Sequence, residues 1–278
     1  MSIEPIPTPL VSANWLTQHL NDPNVVIVDC RFSLAEPELG RQQYLDTHLP
    51  DAFYLHLERD LASPVQRHGG RHPLPNPQIL AGKLAAIGIT SSKTFVVAYD
   101  DSRFAFASRC WWLLRYLGHE RVAILDGGFS QWQSQGYPVT RELPQPRSGH
   151  FTVQLHPDWA IDIAQVKRCR NLPDVALVDA RDADRYRGER EPIDPIAGHI
   201  PGAINLPWKT MTDDRGFALS PERQRQLWQT LTSADEVVVY CGSGVTACVH
   251  ILSRQMAKLQ PAKLYPGSWS DWCSYQSG

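Results

Sequence analysis

The sequence predicts an α/β protein built from two tandem copies of one unit, each a mainly parallel sheet with helices on both faces. Two observations predict this class. Four motifs of the first half return in the same order in the second half, and apolar runs alternate with helical patterns in each copy. A period of about half the chain is too long for a solenoid and indicates two homologous domains. Continuous apolar strands alternating with helices are typical of parallel sheets covered on both faces.

The repeat defines the expected domains. The matching segments, paired in chain order, are 26–31 with 176–181, 48–52 with 199–203, 95–100 with 236–241, and 127–132 with 267–272. We expect an N-terminal domain at 1–143, a linker at 144–158 and a C-terminal domain at 159–278. The linker is placed where Pro144 and Pro146 favour an extended chain.

The individual elements follow from apolar patterning. Buried strands are expected at the short apolar runs 25–29, 95–99, 122–125, 175–179, 236–240 and 262–265. Helices are expected at 77–87, 105–117, 129–135, 220–231, 245–258 and 268–274, where the pattern is helical. Strands and helices thus alternate in both copies.

Composition narrows the function. The chain has 278 residues, a formal net charge of −2 and no run of Lys or Arg, which argues against nucleic-acid binding. Its apolar runs are too short to span a bilayer, and an early Glu4 with no basic stretch argues against a signal peptide. The six cysteines form no CxxC pair and no zinc-like spacing. We therefore expect free thiols in the cytoplasm, and neither a metal nor another cofactor.

The segment that carries chemistry follows the strand 236–240. Cys241 ends this strand, and Gly242 and Gly244 give the loop after it the freedom to curl. Successive N–H groups through Val245 and Thr246 can then form an anion-binding nest at the start of a helix. We expect the Cys241 thiol to be present largely as thiolate and a persulfide anion to fit the same cradle. The alternative, a cysteine packed in the core, is disfavoured by its place at the carboxyl end of a parallel strand.

The repeat supplies an internal control. Asp100 stands where the second copy has Cys241, and the loop 101–106 contains no glycine. A carboxylate cannot accept a sulfur atom. We therefore expect a catalytically inactive first domain and one active site in the chain.

Over essentially its whole length the sequence resembles the tandem-rhodanese sulfurtransferases. The motifs that carry the resemblance lie at 109–112, 198–205, 241–247 and 267–272. The resemblance implies an inactive N-terminal domain, an active C-terminal domain and a site at their junction. It also implies double displacement, in which the cysteine takes sulfur from a small donor and passes it to a thiol, cyanide or a thioredoxin-like acceptor.

Two subclasses compete within this resemblance. Thiosulfate sulfurtransferases usually carry cationic residues directly after the cysteine, whereas this chain has Gly242 and Ser243. Its loop is similar to that of 3-mercaptopyruvate sulfurtransferases. That likeness implies that Ser243 works with His72 and with Glu58, which replaces the aspartate of the subclass. The alternative interpretation of Glu58 and His72 is a surface ion pair or a capped loop.

The resemblance also implies which residue binds the donor's anionic group. It places that group on Arg185, whose planar guanidinium suits bidentate capture of a carboxylate or thiosulfonate. A second arginine of some mercaptopyruvate enzymes has no clean match, and Arg190 is the candidate. The alternative for Arg190 is a solvated charge beside Glu189 and Glu191. Cys248 is expected to be a buried thiol.

Functions of other classes remain to be weighed. A cysteine-dependent phosphatase would need an arginine where this chain has Ala247. A non-enzymatic sulfur carrier or sensor would keep Cys241 but show no turnover with small donors. A binding module would need no nucleophile. Within the sulfurtransferases, thiosulfate:cyanide transfer remains the alternative to mercaptopyruvate chemistry.

Overall fold

The structure is a computed structural model that describes residues 8–231 and 234–276. The chain divides into two compact units: the first comprises 1–62, 75–156 and 214–218, and the second comprises 63–74, 157–213 and 219–278. We expected contiguous domains at 1–143 and 159–278. In the structure, segment 63–74 belongs to the second unit and segment 214–218 to the first. The stretch 1–7, on which the signal-peptide argument partly depends, lies outside the described residues.

The first unit alternates strands and helices along the chain. Its elements are β1 Leu10–Val11, α1 Ala13–His19, β2 Val25–Asp29, α2 Leu39–Asp46, β3 Ala52–Tyr54, α3 Pro77–Ala86, β4 Phe95–Tyr99, α4 Ala107–Tyr116, β5 Val122–Leu125 and α5 Gly128–Ser134. The strands form one sheet in the order β1-β5-β4-β2-β3, and every pairing among the described strands is parallel.

The second unit repeats this arrangement. Its elements are α6 Ile163–Cys169, β6 Val175–Asp179, α7 Ala183–Tyr186, β7 Ile204–Asn205, α8 Pro221–Leu227, β8 Glu236–Tyr240, α9 Ala247–Met256, β9 Lys263–Leu264 and α10 Ser268–Ser274, with 3₁₀ turns at Pro157–Trp159, Trp208–Met211 and Gln229–Leu231. Its strands lie in the order β7-β6-β8-β9, again parallel. Where β1 pairs with β5 in the first unit, the second has a single parallel bridge between Ala160 and Leu264.

Burial explains why the central strands are almost entirely apolar, with Asp29 at the end of β2 as an exception. All five residues of β2 and of β4 are buried, as expected for strands that are covered on both faces. On one face of the second sheet, Val238 and Tyr240 pack with Trp269 and Trp272 of α10. The predicted α/β class with two parallel sheets is confirmed.

Local sequence sets several helix ends. Asn76 caps α3 by accepting from the N–H groups of Gln78 and Ile79, at 3.0 and 3.1 Å, and Pro77 occupies the first turn. The helix expected over 220–231 ends as an α-helix at Leu227 and continues as a 3₁₀ turn. Within the described ranges, no helix combines the length and the apolar character that a membrane span requires.

Candidate active site

The candidate site is built on the loop between β8 and α9. Cys241 lies at the carboxyl end of β8 and is only 2% exposed. Gly244 has a φ of +73°, and a side chain there would clash with the carbonyl oxygen of Pro266. Both the positive φ and the close contact require glycine at this position. Gly244 thus lets the chain turn sharply after Cys241 and enter α9 at Ala247.

The motif that opens α10 anchors this loop by its backbone. The N–H of Trp269 donates to the Cys241 carbonyl at 3.0 Å, and the N–H of Ser270 donates to the Gly242 carbonyl at 2.9 Å. The Cys241 N–H donates to Ser268 Oγ at 3.1 Å. These bonds fix the start of the loop, which explains why the Gly-Ser-Trp-Ser motif accompanies the cysteine.

The remainder of the loop offers donors for an anion. Among the described residues, no backbone carbonyl accepts from the N–H groups of Ser243, Val245 or Thr246. Successive N–H groups beside a helix N-terminus favour a bound negative charge. The arrangement therefore suits a thiolate or persulfide on Cys241.

Ser243 and His72 meet beside the cysteine. His72 Nδ1 and Ser243 Oγ share a hydrogen bond of 2.7 Å, and the two residues are 2% and 4% exposed. His72 belongs to the segment 63–74, which is part of the second unit although it precedes most of the first in sequence. The structure thus brings together two of the predicted catalytic residues.

Hydrogen bonds to α10 hold that segment in the second unit. The Gly69 N–H donates to Asp271 Oδ1 at 2.7 Å, and the Arg71 N–H donates to Ser270 Oγ at 3.1 Å. Gly70, with a φ of +80°, approaches so closely that a side chain would clash with the Gly267 carbonyl oxygen. Gly70 is therefore needed for this close approach.

Two guanidinium groups lie beside the loop. A Cβ built on Gly242 would lie 3.0 Å from Arg71 Nη2 and 3.7 Å from Arg185 Nη1. Arg185, on α7, was predicted for this place. Arg71 was missed, and the only available signal was its position next to His72 in a glycine-containing segment.

Two buried carboxylates engage these arginines. Glu191 Oε1 accepts from Arg185 Nη2 at 2.6 Å, and Asp194 contacts both Arg185 and Arg71. Burial raises the pKa of Asp194, and the neighbouring Glu191 adds to this effect while Arg71 opposes it. Burial acts in the same direction on Glu191, but hydrogen bonds from Arg185 and from the Asp194 backbone hold the pKa of Glu191 below its usual value.

The other two predicted residues have different surroundings. Arg190 is half exposed, and its Nε donates to Asp184 Oδ2 at 2.6 Å. Glu58 belongs to the first unit, is exposed, and its backbone N–H donates to His56 Nδ1 at 3.2 Å. A relay role for Glu58 stays a prediction.

Neighbouring buried residues have structural contacts. The Arg181 guanidinium bonds Asp179 and also donates to the Gly198 carbonyl, at 2.7 and 2.6 Å. Cys248 is fully buried, and its Sγ donates to the Gly244 carbonyl at 3.5 Å. No group of three or more His, Cys, Asp or Glu side chains within the described part of the chain is arranged to hold a metal ion.

Fold and site together define an α/β protein with a cysteine at the start of a glycine-containing loop, at the carboxyl edge of a parallel sheet. The chain belongs to the rhodanese family and to its tandem sulfurtransferases: the model for the rhodanese-like domain matches it twice, at 12–135 and 162–275.

The relatives carry two kinds of name. A probable 3-mercaptopyruvate sulfurtransferase of Pseudomonas aeruginosa is 42% identical, covering 95% of this chain and 94% of that protein. The putative thiosulfate sulfurtransferase SseB of Mycobacterium tuberculosis is 39% identical, covering 90% of this chain and 88% of that protein. The crystal structure of SseA from Escherichia coli, described as a 3-mercaptopyruvate sulfotransferase, is 30% identical with a TM-score of 0.82, covering 95% and 99%.

Proposed function

We propose that this protein is a 3-mercaptopyruvate sulfurtransferase that carries sulfur as a persulfide on Cys241. The observation that supports it most is the buried hydrogen bond between Ser243 and His72 beside the cysteine. A hydroxyl paired with an imidazole can exchange protons with a donor thiol or carbonyl. Gly242 and Ser243 place no cation in the loop itself, and the two arginines beside it are already paired with Asp194 and Glu191, so a thiosulfate dianion gains little there beyond the backbone nest.

The reaction divides into two displacements. In the first, the Cys241 thiolate attacks the thiol sulfur of 3-mercaptopyruvate, and an S–S bond forms as the C–S bond breaks. The electron pair of the C–S bond passes to carbon, which takes one proton to give pyruvate. In the second, an acceptor nucleophile attacks the outer sulfur of the persulfide, and Cys241 leaves as thiolate.

Each nearby residue has a proposed part in the first displacement. Ser243, oriented by His72, hydrogen-bonds the donor and relays the proton from its thiol toward the developing carbanion. Glu58 is the proposed third member of this relay. Arg185 binds the donor carboxylate, and the N–H groups of the loop, from Gly242 through Gly244, Val245 and Thr246, stabilise the persulfide anion.

The acceptor and the compartment extend the proposal. A thiol, cyanide or a thioredoxin-like protein is the proposed acceptor, because each supplies a nucleophile for the outer sulfur. All six cysteines, each within the described residues, are free thiols. Free thiols suit the reducing cytoplasm. The first unit, with Asp100 in place of a cysteine, is proposed to be catalytically inactive.

Thiosulfate:cyanide transfer is the second candidate, because the Mycobacterium relative is named for thiosulfate. The deciding experiment compares catalytic efficiency with 3-mercaptopyruvate and with thiosulfate. We expect Ser243→Ala to reduce mercaptopyruvate turnover more than thiosulfate turnover, and Ser243→Lys to move the preference toward thiosulfate. A wild-type enzyme that already favours thiosulfate would contradict the proposed donor. Sulfur loading without turnover would indicate a carrier.

A further inference from the structure

We propose that Arg71 is the second guanidinium that binds the donor carboxylate, and that Asp194 is the positioning residue that holds Arg71 next to Arg185. The inference rests on the proposed function for the identity of the donor. The existence of a two-arginine carboxylate site beside Cys241 can be tested without it.

The first argument is convergence. The point where a Cβ would stand on Gly242 lies 3.0 Å from Arg71 Nη2 and within 3.8 Å of both terminal nitrogens of Arg185. Gly242 directly follows Cys241, so both guanidinium groups approach the same side of the loop next to the sulfur. Glycine at 242 keeps that space open to a ligand.

The second argument concerns which nitrogens are already used. Arg71 Nη1 bonds Asp194, and Arg185 uses Nε and Nη2 on Glu191 and Asp194. Arg71 Nη2 and Arg185 Nη1 form no hydrogen bond with any residue in the described part of the chain. These are the two nitrogens that lie nearest to the Gly242 position. Each arginine therefore keeps a terminal nitrogen for the ligand next to Gly242, and two such nitrogens match the two oxygens of a carboxylate.

The third argument concerns the anchor. The Asp194 side chain is only 2% exposed, and its two oxygens go to different arginines, Oδ1 to Arg71 and Oδ2 to Arg185 at 3.4 Å. The Arg71 side chain is 27% exposed and would otherwise be free to swing into solvent. Asp194 therefore fixes the spacing of the two guanidinium groups.

Charge balance gives this pair a preference. Two buried carboxylates, Asp194 and Glu191, already contact Arg71 and Arg185. The local excess of positive charge is small, which favours a monoanionic keto acid over a thiosulfate dianion. The arrangement supplies the second arginine for which the sequence offered only Arg190.

Alkylation of Cys241 tests the pair independently of the donor. The rates with iodoacetate and with neutral iodoacetamide are measured by mass spectrometry of the Cys241 peptide, and their ratio reports carboxylate binding next to the sulfur. Losing one charge-assisted contact should lower the ratio about tenfold in Arg71→Ala and in Arg185→Ala. Arg71→Lys should recover part of it, and Arg223→Ala, an exposed arginine on α8, should leave it unchanged.

The role of Asp194 is tested by coupling. If Asp194 acts through Arg71, Asp194→Asn should lower the ratio in the wild-type background and have little further effect in Arg71→Ala. Additive effects would contradict the positioning role. An unchanged ratio in Arg71→Ala, or a loss seen in Arg190→Ala instead, would overturn the proposal. If the ratio falls as expected in the arginine variants but the wild-type enzyme prefers thiosulfate, the proposed donor is refuted and the arginine pair stands.

Discussion

The two units share an aspartate–arginine pair at the ends of β2 and β6, but they differ in the loop that follows β4 in the first unit and β8 in the second. In the first unit Arg31 Nη2 bonds Asp29 Oδ2 at 2.6 Å, and in the second Arg181 Nη2 bonds Asp179 Oδ2 at 2.7 Å. In both units the arginine N–H also donates to the same aspartate at 2.9 Å. This brace therefore belongs to the fold and does not distinguish the two loops.

The difference lies in what fills the cradle. The Asp100 carboxylate, fully buried after β4, accepts four backbone N–H groups of its own loop, at 2.8–3.1 Å, from Ser102, Phe104, Phe106 and Ala107. Burial raises the pKa of Asp100, although these bonds offset part of the effect. The second unit places the Cys241 sulfur at this position. The first loop thus binds the protein's own carboxylate, whereas the proposed persulfide would supply the negative charge in the second.

The largest expected effect is the loss of the nucleophile at Cys241. Cys241→Ser should lower turnover by roughly a thousandfold or more, because the nucleophile is lost. Intact-mass measurement after donor treatment should show one added sulfur in the wild type, removed by cyanide, and none in the variant. Cys169→Ser, on α6, serves as the control and should load normally. Adding Asp100→Cys to the Cys241→Ser variant should restore nothing, because its loop lacks the glycines and the Ser243–His72 pair; restored loading would show that the two cradles are interchangeable.

The next effect concerns the stability of the first unit. Asp100→Ala leaves four N–H groups without their carboxylate, and we expect a loss of about 2–4 kcal/mol, since some of them will find water. Denaturant unfolding followed by tryptophan fluorescence measures it. Asp100→Asn should recover part of the loss because its amide oxygen still accepts. Unchanged stability in Asp100→Ala would mean that the carboxylate does not hold the loop.

A smaller effect is expected at the arginine of the second cradle. Arg185→Ala should lower catalytic efficiency with the donor by one to two orders of magnitude, or about 1.5–3 kcal/mol, because a charge-assisted contact is lost. Arg185→Lys should recover only part, since the planar fork is gone. Steady-state kinetics with the Arg223→Ala control measures both. Equal efficiencies for wild type and Arg185→Ala would show that the anion is held elsewhere.

The smallest expected effect is on the pH dependence of stability. Each unit buries a histidine whose pKa is lowered by burial, to about 4 for His119 in the first unit and to about 3 for His250 in the second. Unfolding lets both take up a proton below their ordinary pKa, so stability is fully present above pH 6.5 and falls as the pH drops toward these values. The loss is up to about 1.4 kcal/mol per pH unit for each histidine. Between pH 7 and 4, the free energy of unfolding measured with denaturant should decrease less steeply as the pH drops in His250→Gln than in wild type. An equal slope would mean that His250 does not contribute to the pH dependence.

The sequence predicted the strands that are buried on both faces and the loop between β8 and α9. The five residues of β4 and of β8 were predicted at their observed bounds, because a continuous apolar run leaves few alternatives. The two-residue strands β1 and β7 were not predicted, since pairing with a neighbouring strand defines them rather than composition. Propensity carries little information over such short segments.

Arg71 was not predicted for a different reason. Arg71 reaches the Gly242 loop because the Gly69 N–H and the Arg71 N–H bond to Asp271 and Ser270, far along the chain. No local pattern encodes such a contact. The resemblance gave a role to His72 but none to its neighbour Arg71, so only the three-dimensional arrangement revealed it.

The membership of 63–74 in the second unit has a consequence for how this gene can be divided. A fragment cut at the linker near Pro144 would retain the cysteine and the loop after it but would lose His72 and Arg71 with the other half of the coding sequence. Such a fragment would keep Cys241 without the Ser243–His72 hydrogen bond. Neither half of the coding sequence therefore encodes the whole second unit. An active split enzyme would require co-expression of the two pieces rather than expression of either alone.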